Sequence, residues 1–174
     1  YLPSKAPNAV HVIHQTAALS MLDLKISLYG SRSTSQIEFK SNLERSYGVD
    51  LRSVKLNFFK PFIDKGINIQ IAIYSIFKLI FLSFHKEHKI YSRNLYAAFF
   101  FDVILRRKII FETHQIEIGI NGFFQKMILK SNVSQVVLIT NELYRILESH
   151  FSIKINKVNI LSDGMDYYIK RILE

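Results

Sequence analysis

The chain has 174 residues, 49% hydrophobic and 21% charged, which excludes a disordered or low-complexity protein. It has no cysteine, so a disulfide scaffold, a thiol nucleophile, a zinc–thiolate site and an iron–sulfur cluster are excluded as well. A formal net charge of +9 predicts a surface that attracts anions: nucleic acid, phosphorylated metabolites or acidic lipid headgroups.

In chain order, Tyr1–Asn8 lacks the apolar core of a signal peptide. The chain does not begin with Met, so a processed product or a piece of a longer protein is expected. Asn8 is placed to cap a helix through Val10, Ile13, Ala17 and Met21, apolar at spacings of three and four. Leu24–Tyr29 alternates as a strand closed by Gly30. Ser35 to Tyr47 reads as an amphipathic helix stopped by Gly48, and Val54–Phe58 as a short strand. Pro61 then stands near the start of a long apolar helix running to about Lys86.

That helix contains the most apolar run, Ile67 to Phe84, which approaches the roughly 18–20 residues needed to cross a bilayer. Asn68, Gln70 and Lys78 interrupt it, and a central lysine costs about 2.5–3.5 kcal/mol on insertion. A buried helix is therefore expected. Attachment to a lipid surface is the lesser reading, with Lys60, Lys65, Lys78, Lys86 and Lys89 nearby.

The second half is more regular. Lys89–Ser92 is a strand, and Asn94 caps the helix LYAAFFFDVILRR, which ends on Arg106, Arg107 and Lys108, the charges that suit a helix C-terminus. Ile109–Glu112 is a continuous apolar strand ending in an acid. Gly119 or Asn121 opens the next helix, Gln135–Thr140 is a strand, Asn141 caps ELYRILESHF, and Lys157–Leu161 is the last strand. Strands alternating with helices at this spacing predict an α/β fold: a doubly wound, mostly parallel Rossmann-like sheet with helices on both faces. Such a domain normally opens on a central strand, so the first strand is expected to be a stub at Tyr1–Pro3 or to lie upstream.

In an open parallel sheet, ligands lie beyond the carboxyl ends of the strands. The polar residues falling there are Ser4, Lys5 and Asn8 in the opening loop, Arg93 and Asn94, Glu112 to Gln115, Asn141, and Ser162 to Asp166. Helix capping accounts for Asn94 and Asn141. It accounts less well for Arg93 and His114, and an imidazole two residues past a strand can exchange hydrogen bonds with a ligand hydroxyl. His11 and His14 lie three apart on a helix without a third ligand close in sequence, and the HKEH run at His85–His88 lacks the order of a zinc-hydrolase motif. No metal site is expected. No P-loop, GxGxxG or GxSxG is present, and the lysines are spread evenly without aromatic interleaving, so no specific nucleic acid is expected.

The run IYSRNLYAAFFFDVILRRKIIFETH resembles the family-4 type of GT-B glycosyltransferases, in which one strand ends in Tyr-x-Arg and the next in Glu-x-His, here Tyr91, Arg93, Glu112 and His114. The opening PSKAPNAVHVIHQTAALSML resembles the family's first loop and helix, though the usual glycine is missing around Ser4, Lys5 and Ala6. The stretch ending in Asp163, Gly164, Met165 and Asp166 resembles the close of the family's N-terminal domain. The resemblance implies a retaining glycosyltransferase with two Rossmann-like domains and no obligatory metal or other cofactor beyond the nucleotide-sugar co-substrate.

Residues 1–166 would form the acceptor-side domain and 167–174 the start of a linker, with Asp163, Gly164 and Asp166 as the hinge. His114 would act as the catalytic residue contacting the transferred sugar. Ser4, Lys5, Asn8, Arg93, Asn94, Glu112 and Asn141 would bind substrate. The family's donor-domain acidic motif has no counterpart before Glu174, so this chain alone is expected to transfer no sugar. Expected partners are a nucleotide-sugar held by a second domain or chain, a glycan or lipid-linked acceptor, and a membrane surface, with a cytoplasmic location, peripheral at the inner membrane face in the lesser reading. The competing expectation is a non-catalytic binding subunit of a split enzyme. His114→Ala is expected to lower turnover at unchanged melting temperature, while Arg93→Ala is expected to cost folding energy if Arg93 pairs with Glu112.

Overall fold

The computed structural model describes residues 2–4, 6–22, 24–32, 39–81 and 88–161. They fall into two compact units, residues 1–75 and 76–174. The class is α/β with Rossmann-like succession, since every paired strand is parallel to its neighbour.

The first unit opens on helix α1 (Pro7–Ser20). Its N-cap is Ala6, with Pro7 in the first turn, so Asn8 lies inside the helix and is not its N-cap. Proline prevails there because its fixed φ suits the first turn and its missing N–H costs nothing. Strand β1 (Ile26–Ser31) pairs in parallel with β2 (Val54–Phe59), and helix α2 (Phe39–Tyr47) connects them. Gly30 does not close β1 but sits within it, where a Cβ would stand 2.6 Å from the Phe58 ring. Residues 35–38, the expected first turn of α2, lie outside the described residues. The core gathers Ile13, Ala17, Phe39, Leu43, Leu51 and Val54. Leu2 makes an isolated parallel bridge to Arg32, the expected strand stub.

Helix α3 (Ile67–Leu79) runs across the boundary between the units. It starts six residues after Pro61, and only Ala72 and Ser75 are buried on it, so the expectation of a buried helix is overturned. No helix among the described residues is long and apolar enough to cross a membrane.

The second unit is a four-stranded parallel sheet in sequential order: β3 (Ile90–Ser92), β4 (Ile109–Thr113), β5 (Gln135–Leu138) and β6 (Val158–Ile160). The connections are α4 (Leu95–Phe99), α5 (Gly119–Lys130) and α6 (Asn141–Phe151). Asn94 caps α4 as expected, its side-chain oxygen accepting from the Ala97 N–H at 3.0 Å. The helix then widens into a π turn over Phe100–Ile104 and stops at Arg106, which adopts a left-handed φ of 50°. One regular helix to Lys108 was the expectation. The π turn brings Asp102 inward, where burial raises its carboxyl against the Ser131 and Ser134 hydrogen bonds. Thr140 caps α6, accepting from Leu143 N at 3.0 Å, and Asn141 is the first helical residue, so the sequence placed this cap one residue late.

The register divides β4 cleanly. Ile109 and Phe111 join Ala98, Phe101 and Ile128 in one core cluster, while Val136 and Leu138 join Leu129 and Leu147 in a second. Ile110 and Glu112 point to the opposite side, by the two-residue alternation of a strand. Most of β4 and all of β5 beyond Gln135 are buried, as a sheet covered on both faces requires. At Gly122 in α5, a Cβ would stand 2.7 Å from the Glu117 carbonyl oxygen, a backbone atom that cannot swing aside. Alanine is normally the better helix former, yet Gly122→Ala is expected to destabilise the protein by about 1–2 kcal/mol, because overpacking outweighs propensity. Thermal unfolding checks this, and an unchanged or raised Tm would count against that close approach.

Candidate functional site

Tyr91 on β3 is aligned with Ile110 on β4, so it shares a side with Ile110 and Glu112. Arg93 and His114 each lie two residues further along their strands. Period-two alternation on neighbouring parallel strands thus collects Tyr91, Arg93, Glu112 and His114 at the carboxyl ends of β3 and β4.

Glu112 is the centre of the group, only 3% exposed. The Tyr91 hydroxyl donates to its Oε2, and His114 Nε2 hydrogen-bonds its Oε1. Arg93 Nε stands 3.7 Å from the same Oε1. Arg93 Nη2 lies 3.1 Å from Nδ1 and 3.0 Å from Nε2 of His114. Burial works to raise the Glu112 carboxyl, but the Tyr91 and His114 hydrogen bonds and the Arg93 charge outweigh it and hold the carboxyl below its ordinary range. Glu112 is therefore ionised at neutral pH and acts as an acceptor, not a proton donor.

A carboxylate accepts only, so the network assigns the proton to His114 Nε2. Nδ1 is then the acceptor, and Arg93 Nη2 donates to it at 3.1 Å. The group at the strand ends is then an imidazole and a guanidinium held side by side and backed by a buried anion. The guanidinium so close to both Glu112 and His114 works against a cation binding to that pair.

The loop after β4 is tied down from α5. Gln125, fully buried, donates from Nε2 to Thr113 Oγ1 at 2.9 Å and to the Gln115 carbonyl at 2.8 Å. Its Oε1 accepts from Glu117 N at 2.9 Å. These bonds span both sides of His114. Neither Gln125 nor Tyr91 was among the expected site residues. The Tyr-x-Arg spacing pointed to Tyr91, whereas a lone glutamine in an amphipathic helix carries no sequence signal.

Asn94 and Asn141 serve at helix starts. Ser4, in the first unit, is engaged within its own loop: its Oγ accepts from Ala6 N at 3.1 Å, and its backbone exchanges hydrogen bonds with the Tyr47 hydroxyl at 2.7 Å. Asn8 is exposed in the first turn of α1. Lys5, Asp163, Gly164 and Asp166 lie outside the described residues.

The geometry also changes the expectation for His114→Ala. That substitution withdraws a hydrogen bond from a buried carboxylate, a cost of about 1–3 kcal/mol, so the melting temperature should fall. No family model matches the chain, and no curated protein or solved structure matches it.

Proposed function

We propose that this chain is the acceptor-binding half of a glycosyltransferase that moves a sugar from a nucleotide-sugar to a glycan or lipid-linked acceptor. The observation that carries the reading is the Tyr91–Glu112–His114–Arg93 cluster at the carboxyl ends of two adjacent parallel strands. A sugar hydroxyl both donates and accepts, and it would enter this cluster between the two groups, donating to Nδ1 of His114 in place of Arg93 and accepting from the guanidinium. Glu112 keeps the imidazole in the tautomer and rotation that this needs. Tyr91 and Gln125 act as positioning residues. The sequence resemblance supplies the reaction class, with retention and no obligatory metal.

Transfer needs the leaving diphosphate stabilised and the acceptor oxygen held near the anomeric carbon. A single open crevice holds one partner, so the nucleotide-sugar belongs to a second domain or chain that closes over it.

His114→Gln tests the reading better than alanine, because the amide retains an N–H donor for Glu112. In an assembly that includes the donor-binding part, turnover is expected to fall about tenfold or more, with a Tm close to the parent's. Parent-like turnover would remove His114 from the reaction. Sugar transfer by this chain alone, supplied with nucleotide-sugars, would overturn the two-part requirement.

A further inference from the structure

Helix α3 and the turn before it present apolar side chains outward in an ordered arrangement. Ile69, Ile73 and Phe77 recur every four residues, all exposed, and therefore share one face of the helix. Just before the helix, Phe62 is 93% exposed and Ile63 lies open beside it. This turn is held in shape. Phe62 N donates to Gln70 Oε1 at 3.0 Å, and Gln70 Nε2 donates to the carbonyls of Ile63 at 2.8 Å and Lys65 at 3.0 Å. One side chain in the first turn of α3 thus fixes the segment that displays two large apolar groups. Holding them ready removes much of the ordering entropy that a flexible loop would lose on docking.

The charges around these residues indicate what covers them. Lys60 and Lys65 are exposed on either side of Phe62 and Ile63, and Lys78 is exposed beside Phe77, against a single acid, Asp64, in the turn. The chain as a whole carries +9, which opposes pairing with a second copy of itself and favours an anionic surface. At 13 residues the helix is far too short to cross the roughly 30 Å hydrocarbon core. We infer that α3 and its Phe62–Ile63 turn form an interfacial docking surface for an anionic lipid bilayer, with Phe62, Ile63, Ile73 and Phe77 entering the acyl boundary and Lys60 and Lys65 meeting the headgroups. Apolar burial and headgroup attraction act together in such binding. The inference rests on different residues from the His114 cluster and does not depend on the glycosyl-transfer reading.

The test is vesicle partitioning of the full chain. It should co-sediment with vesicles of equal parts phosphatidylglycerol and phosphatidylcholine, and much less with pure phosphatidylcholine. The double variant Phe62→Ser, Phe77→Ser should partition at least about tenfold more weakly, since two large apolar groups no longer leave water. Its Tm should match the parent's because both side chains are exposed. Lys60→Glu with Lys65→Glu should abolish the preference for the anionic vesicles. The chain has no tryptophan, so Phe77→Trp creates a single reporter whose emission should shift to the blue on addition of the mixed vesicles. No partitioning by the parent, or equal partitioning by the serine variant, overturns the inference. So does a parent dimer that the serine substitutions dissociate without changing partitioning, since the surface would then belong to a second copy.

Discussion

Replacing Glu112 with alanine is expected to destabilise the protein by about 3–5 kcal/mol, the cost of removing one member of a buried ionic group and leaving its partner unpaired. Arg93, His114 and the Tyr91 hydroxyl would all face a vacated space where a carboxylate had accepted from them. Glu112→Gln should cost less, because the amide keeps the shape and can still accept from Tyr91. It also isolates the charge. The folded carboxyl titrates below its unfolded value of about 4.3, so its contribution is complete above that pH and disappears as pH falls through the folded value. Urea unfolding of parent and Glu112→Gln across the acid range should therefore show two curves that converge as pH falls. Curves that stay parallel would mean that Glu112 does not hold this charge-paired position.

Gln125→Ala is the second large effect. It removes three hydrogen bonds, leaves the Glu117 N–H without its partner and the Gln115 carbonyl with the Thr113 hydroxyl alone, and opens a small cavity. Together these should cost about 2–4 kcal/mol. The loss is also local. Amide hydrogen exchange should accelerate across residues 115–118 well before it does in β5, because those residues depend on the strap while β5 is held by its neighbouring strands. In an assembly competent for transfer, the variant should lose turnover through misplacement of His114, although Gln125 itself touches no substrate. Uniform acceleration across the sheet would make Gln125 an ordinary core residue.

Much of the fold could be read from the residues because strand and helix periods differ. The apolar run at Ile109, the Asn94 cap and the stop at Gly48, with its φ of +63°, all correspond to the structure. The misplaced caps have a common cause. Asn8 and Asn141 are good cap residues, but each has a competitor directly before it in Pro7 and Thr140, and sequence alone does not rank neighbours. The π turn at Phe100–Ile104 escaped because a run of alanine and phenylalanine fits either helical pitch. Helix α3 was misjudged because hydrophobicity measures what a face prefers, not what covers it.

For the candidate site, Tyr-x-Arg and Glu-x-His were visible as two-residue steps. What no spacing conveyed was the alignment of Tyr91 with Ile110, which turns two separate motifs into one hydrogen-bonded group.

That alignment makes the cluster all-or-none. Sliding β3 by a single residue along β4 would send Tyr91 and Arg93 to the side occupied by Phe101 and Ile128, and no half-formed version of the group would survive. The Glu112–His114 contact can therefore serve as a sentinel for correct assembly of the second unit: an imidazole proton resonance that emerges during refolding would report the moment when these two strands find their native pairing.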